Sequence, residues 1–132
     1  MTLVVSNNSE QTILELLLNI SSPEDLVLRL YSNNVTPSEA DVTGTYTEVT
    51  GGGYASVTLV PANWGITPGD PTQALHPEII FTFTGAAGNV FGYYVDQITS
   101  TDLMWAERFT NGPFNIATNG DQIKVTLSIT LE

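Results

Sequence analysis

From Leu26 to Leu131 the sequence is cut into short apolar segments by glycine, asparagine, aspartate and proline, and this rhythm constrains the fold more than any other feature. "LVLRLYS" (26–32) alternates, with Leu26, Leu28 and Leu30 on one face and Val27, Arg29 and Tyr31 on the other. "TYTEV" (45–49), "EIIFTFTGA" (78–86), "NVFGYYVDQI" (89–98), "DLMWAERF" (102–109) and "DQIKVTLSITL" (121–131) follow the same habit, as does the strand fed by the glycine-rich corner "TGGGYASVTLV" (50–60). Four prolines confine "PANWGITPGDPTQALHP" (61–77) to loops or edges. Short strands with turn chemistry between them predict an all-β, antiparallel β-sandwich. Roughly eight strands with long connections favour the jelly roll within that class, with the immunoglobulin-like arrangement left open.

Ahead of the strands lies one helix. "TLVV" (2–5) is a short extended segment, and "NNSEQTILELLLNIS" (7–21) then takes on helical spacing. Asn8 or Ser9 is placed to cap it and Glu10 sits in the first turn, where the helix dipole favours an anion. Ile13, Leu14, Leu17 and Leu18 share a face that Leu16 and Ile20 widen, so the helix is expected to be well buried, ending at Pro23. No repeat or linker divides the chain. One domain is expected over 1–132, with an N-terminal arm and helix over 1–22 and strands over 26–132.

Charge narrows the partners. Fourteen Asp plus Glu face three Lys plus Arg, a net charge of -11. Nucleic-acid binding draws on cations that release phosphate counterions, so no nucleic-acid partner is expected, nor docking on an anionic membrane. Charged residues are only 13% of the chain, which leaves Thr, Ser, Asn, Gln and Gly to make much of the surface. There is no cysteine, hence no disulfide framework. The N-terminal segment lacks the pattern of a secretory signal, and the apolar runs are far shorter than a membrane helix of ~20 residues. A soluble protein made in a reducing cytoplasm is the expectation.

Chemistry-bearing patterns are sparse. His76, the sole histidine, reads as an ordinary loop residue. The glycines of 50–55 lack the Lys-Ser/Thr of a phosphate loop and read as a sheet corner with Tyr54 packed over them. Asp41, Asp70 and Asp121 could ligate calcium, but none belongs to an acidic loop motif. The Asn-X-Ser/Thr triplets at Asn7, Asn19 and Asn34 follow from the abundance of these residues.

In "DLMWAERF", regular alternation puts Leu103, Trp105, Glu107 and Phe109 on one face and Met104, Ala106 and Arg108 on the other. Glu107 would then lie at the core margin and need a partner, for which Arg29 is the candidate structural ion pair. A glycosidase needs two flanking carboxylates; Asp102 and Glu107 are the only local pair, and they point to opposite faces. No catalytic residue, cofactor or metal is expected. Trp64, Trp105, Tyr93 and Tyr94 are the residues that a carbohydrate-binding module would use for stacking.

The strand edges carry little protection. Lys124 is the only lysine, and "IIFTFTGA" and "VTLSITL" are almost uncharged, where exposed edges are usually guarded by charge. Either loops and the helix cover these edges, or neighbouring subunits do. Leu3, Val4 and Val5 are the candidate interface, because an extended apolar arm can add to another chain's sheet.

The blocks "LRLYSNNVTPSEADVTGTYTEVTGGGYA", "NVFGYYV" and "LMWAERFTNGPFNIATNGDQIKVTLSITL" together resemble a group of small structural proteins of tailed bacteriophages, from Leu28 to Leu131 in order and spacing. The resemblance implies a virion component, foremost a capsid cement or decoration protein, with a tail- or fibre-associated part as the nearest rival. The implied partners are the major capsid protein, other virion proteins or further copies of the chain.

Overall fold

A computed structural model describes residues 3–131. Among these residues twelve strands and one α-helix follow in the order β1 (Val4–Val5), α1 (Asn7–Leu17), β2 (Leu26–Tyr31), β3 (Val57–Leu59), β4 (Gly65–Thr67), β5 (Thr72–Leu75), β6 (Ile79–Thr82), β7 (Gly88–Val90), β8 (Gly92–Gln97), β9 (Leu103–Arg108), β10 (Phe114–Ile116), β11 (Gln122–Val125) and β12 (Ser128–Leu131), with short 3-10 turns at Thr43–Thr45 and Pro61–Asn63. Among the described residues all pairing is antiparallel, and no sheet closes into a barrel.

The largest sheet runs β1-β9-β8-β2-β3. Three smaller sheets accompany it: β11-β6, β12-β5-β4 and β10-β7. The main core fills the space these elements share: Leu28, Leu30, Tyr93, Val95 and Trp105 from the large sheet meet Phe81, Phe83, Ile123, Val125 and Leu127. The alternation read in "LVLRLYS" holds, since Leu28 and Leu30 enter this core while Tyr31 joins a second cluster behind the sheet. There the chain between β2 and β3 folds back. Tyr46 stacks on Tyr94 at 5.1 Å and tilts against Tyr31 at 5.0 Å, burying aromatic area in favoured offset geometry.

Two segments depart from the expected strands. The stretch 45–49 forms only an isolated bridge, between Tyr31 and Glu48. The proline-rich 61–77, expected to be irregular, carries β4 and β5. Its prolines bracket these strands, so no ladder N–H is lost inside them. The glycine corner behaves as read: Gly51, Gly52 and Gly53 all take positive φ. The amide of Thr84 donates to the Gly52 carbonyl across 2.8 Å, and a Cβ on Gly52 would press into the backbone at Gly85.

The helix departs most. Ser6, not Asn8 or Ser9, is the cap, its Oγ accepting from the Ser9 amide at 3.1 Å and donating to the Leu103 carbonyl. The helix also stops well before Pro23. Asn19 turns left-handed at φ 57°, the Ile20 amide reaches the Glu15 carbonyl at 2.8 Å and the Asn19 amide the Leu16 carbonyl at 3.1 Å; this is a Schellman closure, with asparagine in the role glycine more often fills. Its buried residues are Ser9 and Thr12, which face β9, whereas Ile13, Leu14, Leu17 and Leu18 are exposed. The expected burial of the leucine stripe is thus reversed.

Candidate functional site

That reversal creates the most distinctive surface of the molecule. An amphipathic helix on a globular protein ordinarily turns its apolar stripe toward the core. Here the cap at Ser6 and its bond to Leu103 fix the polar side of α1 against the sheet, and the stripe faces water: Leu17 is 77% exposed, Ile20 71% and Leu18 65%. Beside it an open groove of about 780 Å³ runs between α1, β1 and β12, with Leu3, Val5, Ile13, Trp105, Ile129 and Leu131 on its walls. Ridge and groove join at Ile13. Contiguous exposed apolar surface of this kind marks an interaction site.

The candidate interface residues fall at this surface, although their strand partner lies within the chain. Val4 pairs with Ala106 and Val5 with Trp105, so the arm completes its own sheet; Leu3 and Val5 then line the groove. The only charges on α1 are Glu10 and Glu15.

The expected Arg29–Glu107 pair is not formed. Arg29 meets Asp96 at 3.0 Å and Glu48 at 3.0 Å. The Asp96 carboxyl is pushed up by burial, and Arg29 only partly offsets this; the Arg29 guanidinium, itself penalised by burial, is held charged by the two carboxylates. Glu107 instead accepts from the Tyr93 hydroxyl at 2.7 Å on the opposite face of the sheet.

A bulge explains part of this region. Val95 pairs with Trp105 and Asp96 with Leu103, leaving Met104 as the extra residue. Leu103 therefore shares the cluster of Tyr94 and Ala106, not the face of Trp105 on which alternation placed it. Arg108 donates to the Val35 carbonyl at 2.8 Å and to Asn34 at 2.7 Å, and lies 5.1 Å over the Phe91 ring. It ties the chain after β2 to β9, a structural use of a scarce cation.

The remaining singled-out residues are structural or scattered. His76 is buried rather than solvated, with Trp64 edge-on to its ring at 5.1 Å and Nδ1 2.8 Å from the Pro77 carbonyl. Asp41 accepts from the Tyr46 hydroxyl, while Asp121 accepts from the amides of Ala117 and Thr118; these turn amides hold the Asp121 carboxyl below its usual range. Among the described residues no three His, Cys, Asp or Glu side chains gather as a metal-binding group. Tyr93, Tyr94 and Trp105 are buried and offer no exposed row of rings to a sugar. Among the described residues no helix is long and apolar enough to cross a membrane.

Sequence reasoning found the leucine stripe but assigned it to the core. The groove it missed, because Ile129 and Leu131 reach β1 only through the fold. No family model, curated protein or solved structure matches the chain.

Proposed function

We propose that this chain is a structural protein of a tailed-bacteriophage virion, made in the host cytoplasm, and that it acts as a capsid cement or decoration protein. In this reading its sheets form a jelly-roll sandwich, and its activity is binding without turnover. The observation that carries the reading is the outward leucine stripe of α1. Moving each such side chain from water into a contact contributes about 1.5–3 kcal/mol. A ridge of several can therefore hold neighbouring shell subunits together without covalent bonds. The docking partner is the major capsid protein or another virion protein, with further copies of the chain alongside. A net charge of -11 per copy suits the outside of a particle better than contact with packaged genome.

Stripped capsids decorated with the wild-type chain and with a Leu14→Glu/Leu17→Glu variant provide the test. Wild-type chain should bind in many copies and raise the temperature at which shells rupture, and the variant should do neither. Shells equally heat-resistant with and without bound chain would refute cementing. A few copies confined to the tail would move the protein to the tail- or fibre-associated alternative.

A further inference from the structure

A second concave surface lies away from the leucine stripe. Between the connection from β9 to β10 and strand β11 opens a cleft of about 540 Å³, within the range of ~300–1,000 Å³ typical of small-molecule sites. Its apolar patch is Phe109 and Phe114, whose rings meet at 5.4 Å, with Phe114 40% exposed. Around them stand Asn111, Asn115, Gln122 and Glu107.

These polar groups are held but not exhausted. Tyr93 fixes Glu107 through Oε2, leaving Oε1 without a hydrogen bond among the described residues. Asn115 spends its Nδ2 on Asn89 and Gln122 its Nε2 on Thr82, which leaves both amide oxygens available. Asn111 makes no side-chain hydrogen bond among the described residues. Asp121, by contrast, turns its oxygens onto its own loop.

We propose that this cleft binds a neutral saccharide. A pyranose ring presents an apolar C–H face to an aromatic ring, and hydroxyls that both donate and accept to amides and a carboxylate around it. Charge selects against an anionic sugar, which Glu107 and Asp121 in the cleft, on a chain of net charge -11, repel. This site shares no residue with the docking ridge, so it stands or falls independently of the capsid reading.

The test titrates the full chain by NMR with short neutral oligosaccharides of glucose, galactose, mannose and N-acetylglucosamine, with an oligoglucuronate as the anionic control and a lysine-rich peptide as the cationic one. At least one neutral sugar should bind at millimolar concentration or below and shift the resonances of Phe109, Asn111 and Phe114. Phe114→Ala and Asn111→Ala, both at exposed positions, should fold normally and each weaken binding about tenfold or more, a full step on the affinity scale. The proposal is overturned if no sugar of the panel binds, if the shifts fall elsewhere, or if both variants keep wild-type affinity. Preference for the oligoglucuronate or the peptide overturns it equally.

Discussion

Arg29 and Asp96 face each other across β2 and β8, the guanidinium Nε lying 3.0 and 3.1 Å from the two carboxylate oxygens. Asp96 has only 2% of its side chain in water, while Arg29 keeps 23% exposed and a second carboxylate in Glu48. Removing one member of such a pair strands the other. Asp96→Ala should therefore lower unfolding free energy by about 3 kcal/mol, the lower end for a buried pair because Arg29 retains Glu48. Arg29→Met combined with Asp96→Leu should lose less than the single variant, since no buried charge remains unpaired. Urea denaturation of the three proteins decides it; a double variant weaker than Asp96→Ala would contradict this account.

The helix predicts a separation of stability from binding. Leu17 contributes little to the fold it projects from, so Leu17→Ala should leave the urea midpoint of the isolated chain almost unchanged. Docking should suffer, by about tenfold to hundredfold in affinity for a leucine buried in the contact. Leu30 gives the contrast. Fully buried in the main core, its replacement by alanine should cost about 2–5 kcal/mol.

The strands were legible because alternation and turn residues act locally. Leu28 and Leu30 landed in the core for that reason, and so did Trp105. The errors arose where a contact distant in sequence overrides local pattern. Periodicity shows that α1 has an apolar side but not which side meets the sheet; the bond from Ser6 to Leu103, 97 residues away, settles that. Alternation through "DLMWAERF" cannot reveal that Met104 is an extra residue, so Leu103 was assigned to the wrong face. Glu107 reads as needing a partner and Arg29 as the candidate, yet Arg29 goes to Asp96, which becomes its diagonal neighbour only once β2 and β8 pair. The saccharide cleft was invisible for the same reason: Glu107, Phe114 and Gln122 stand on three different strands.

Gly92 opens β8 where two groups crowd its α-carbon. A Cβ there would run into the Glu107 carbonyl and the ring of Tyr31, and Tyr31 is itself fully buried. Neither neighbour has room to retreat, so Gly92→Ala should destabilise by about 2 kcal/mol or more through overpacking. The more exposed Gly44, with open space around its Cβ position, should tolerate alanine. Thermal melts of the two variants side by side check the contrast, and equal losses would disprove the crowding argument.

All five tyrosines of the chain are held neutral by the fold. Burial pushes Tyr31 and Tyr94 up to about 12 from an ordinary value of 10.0. Tyr46, Tyr54 and Tyr93 are pushed up further, first by burial and then by carboxylates at their hydroxyls, those of Asp41, Glu48 and Glu107. A phenol whose folded value exceeds its unfolded one binds more protons folded than unfolded in the window between them. Stability must then be intact below pH 10 and fall as pH rises from there toward 12. Phenolate absorbance should accordingly appear late, in one step with loss of tertiary structure, rather than along the gradual curve of free tyrosine. Tyr94→Phe, which removes one of these protons without touching a hydrogen bond of its hydroxyl among the described residues, should shift the alkaline transition to higher pH. Noncooperative titration near the ordinary value, with the fold intact, would show that these rings are not buried as described.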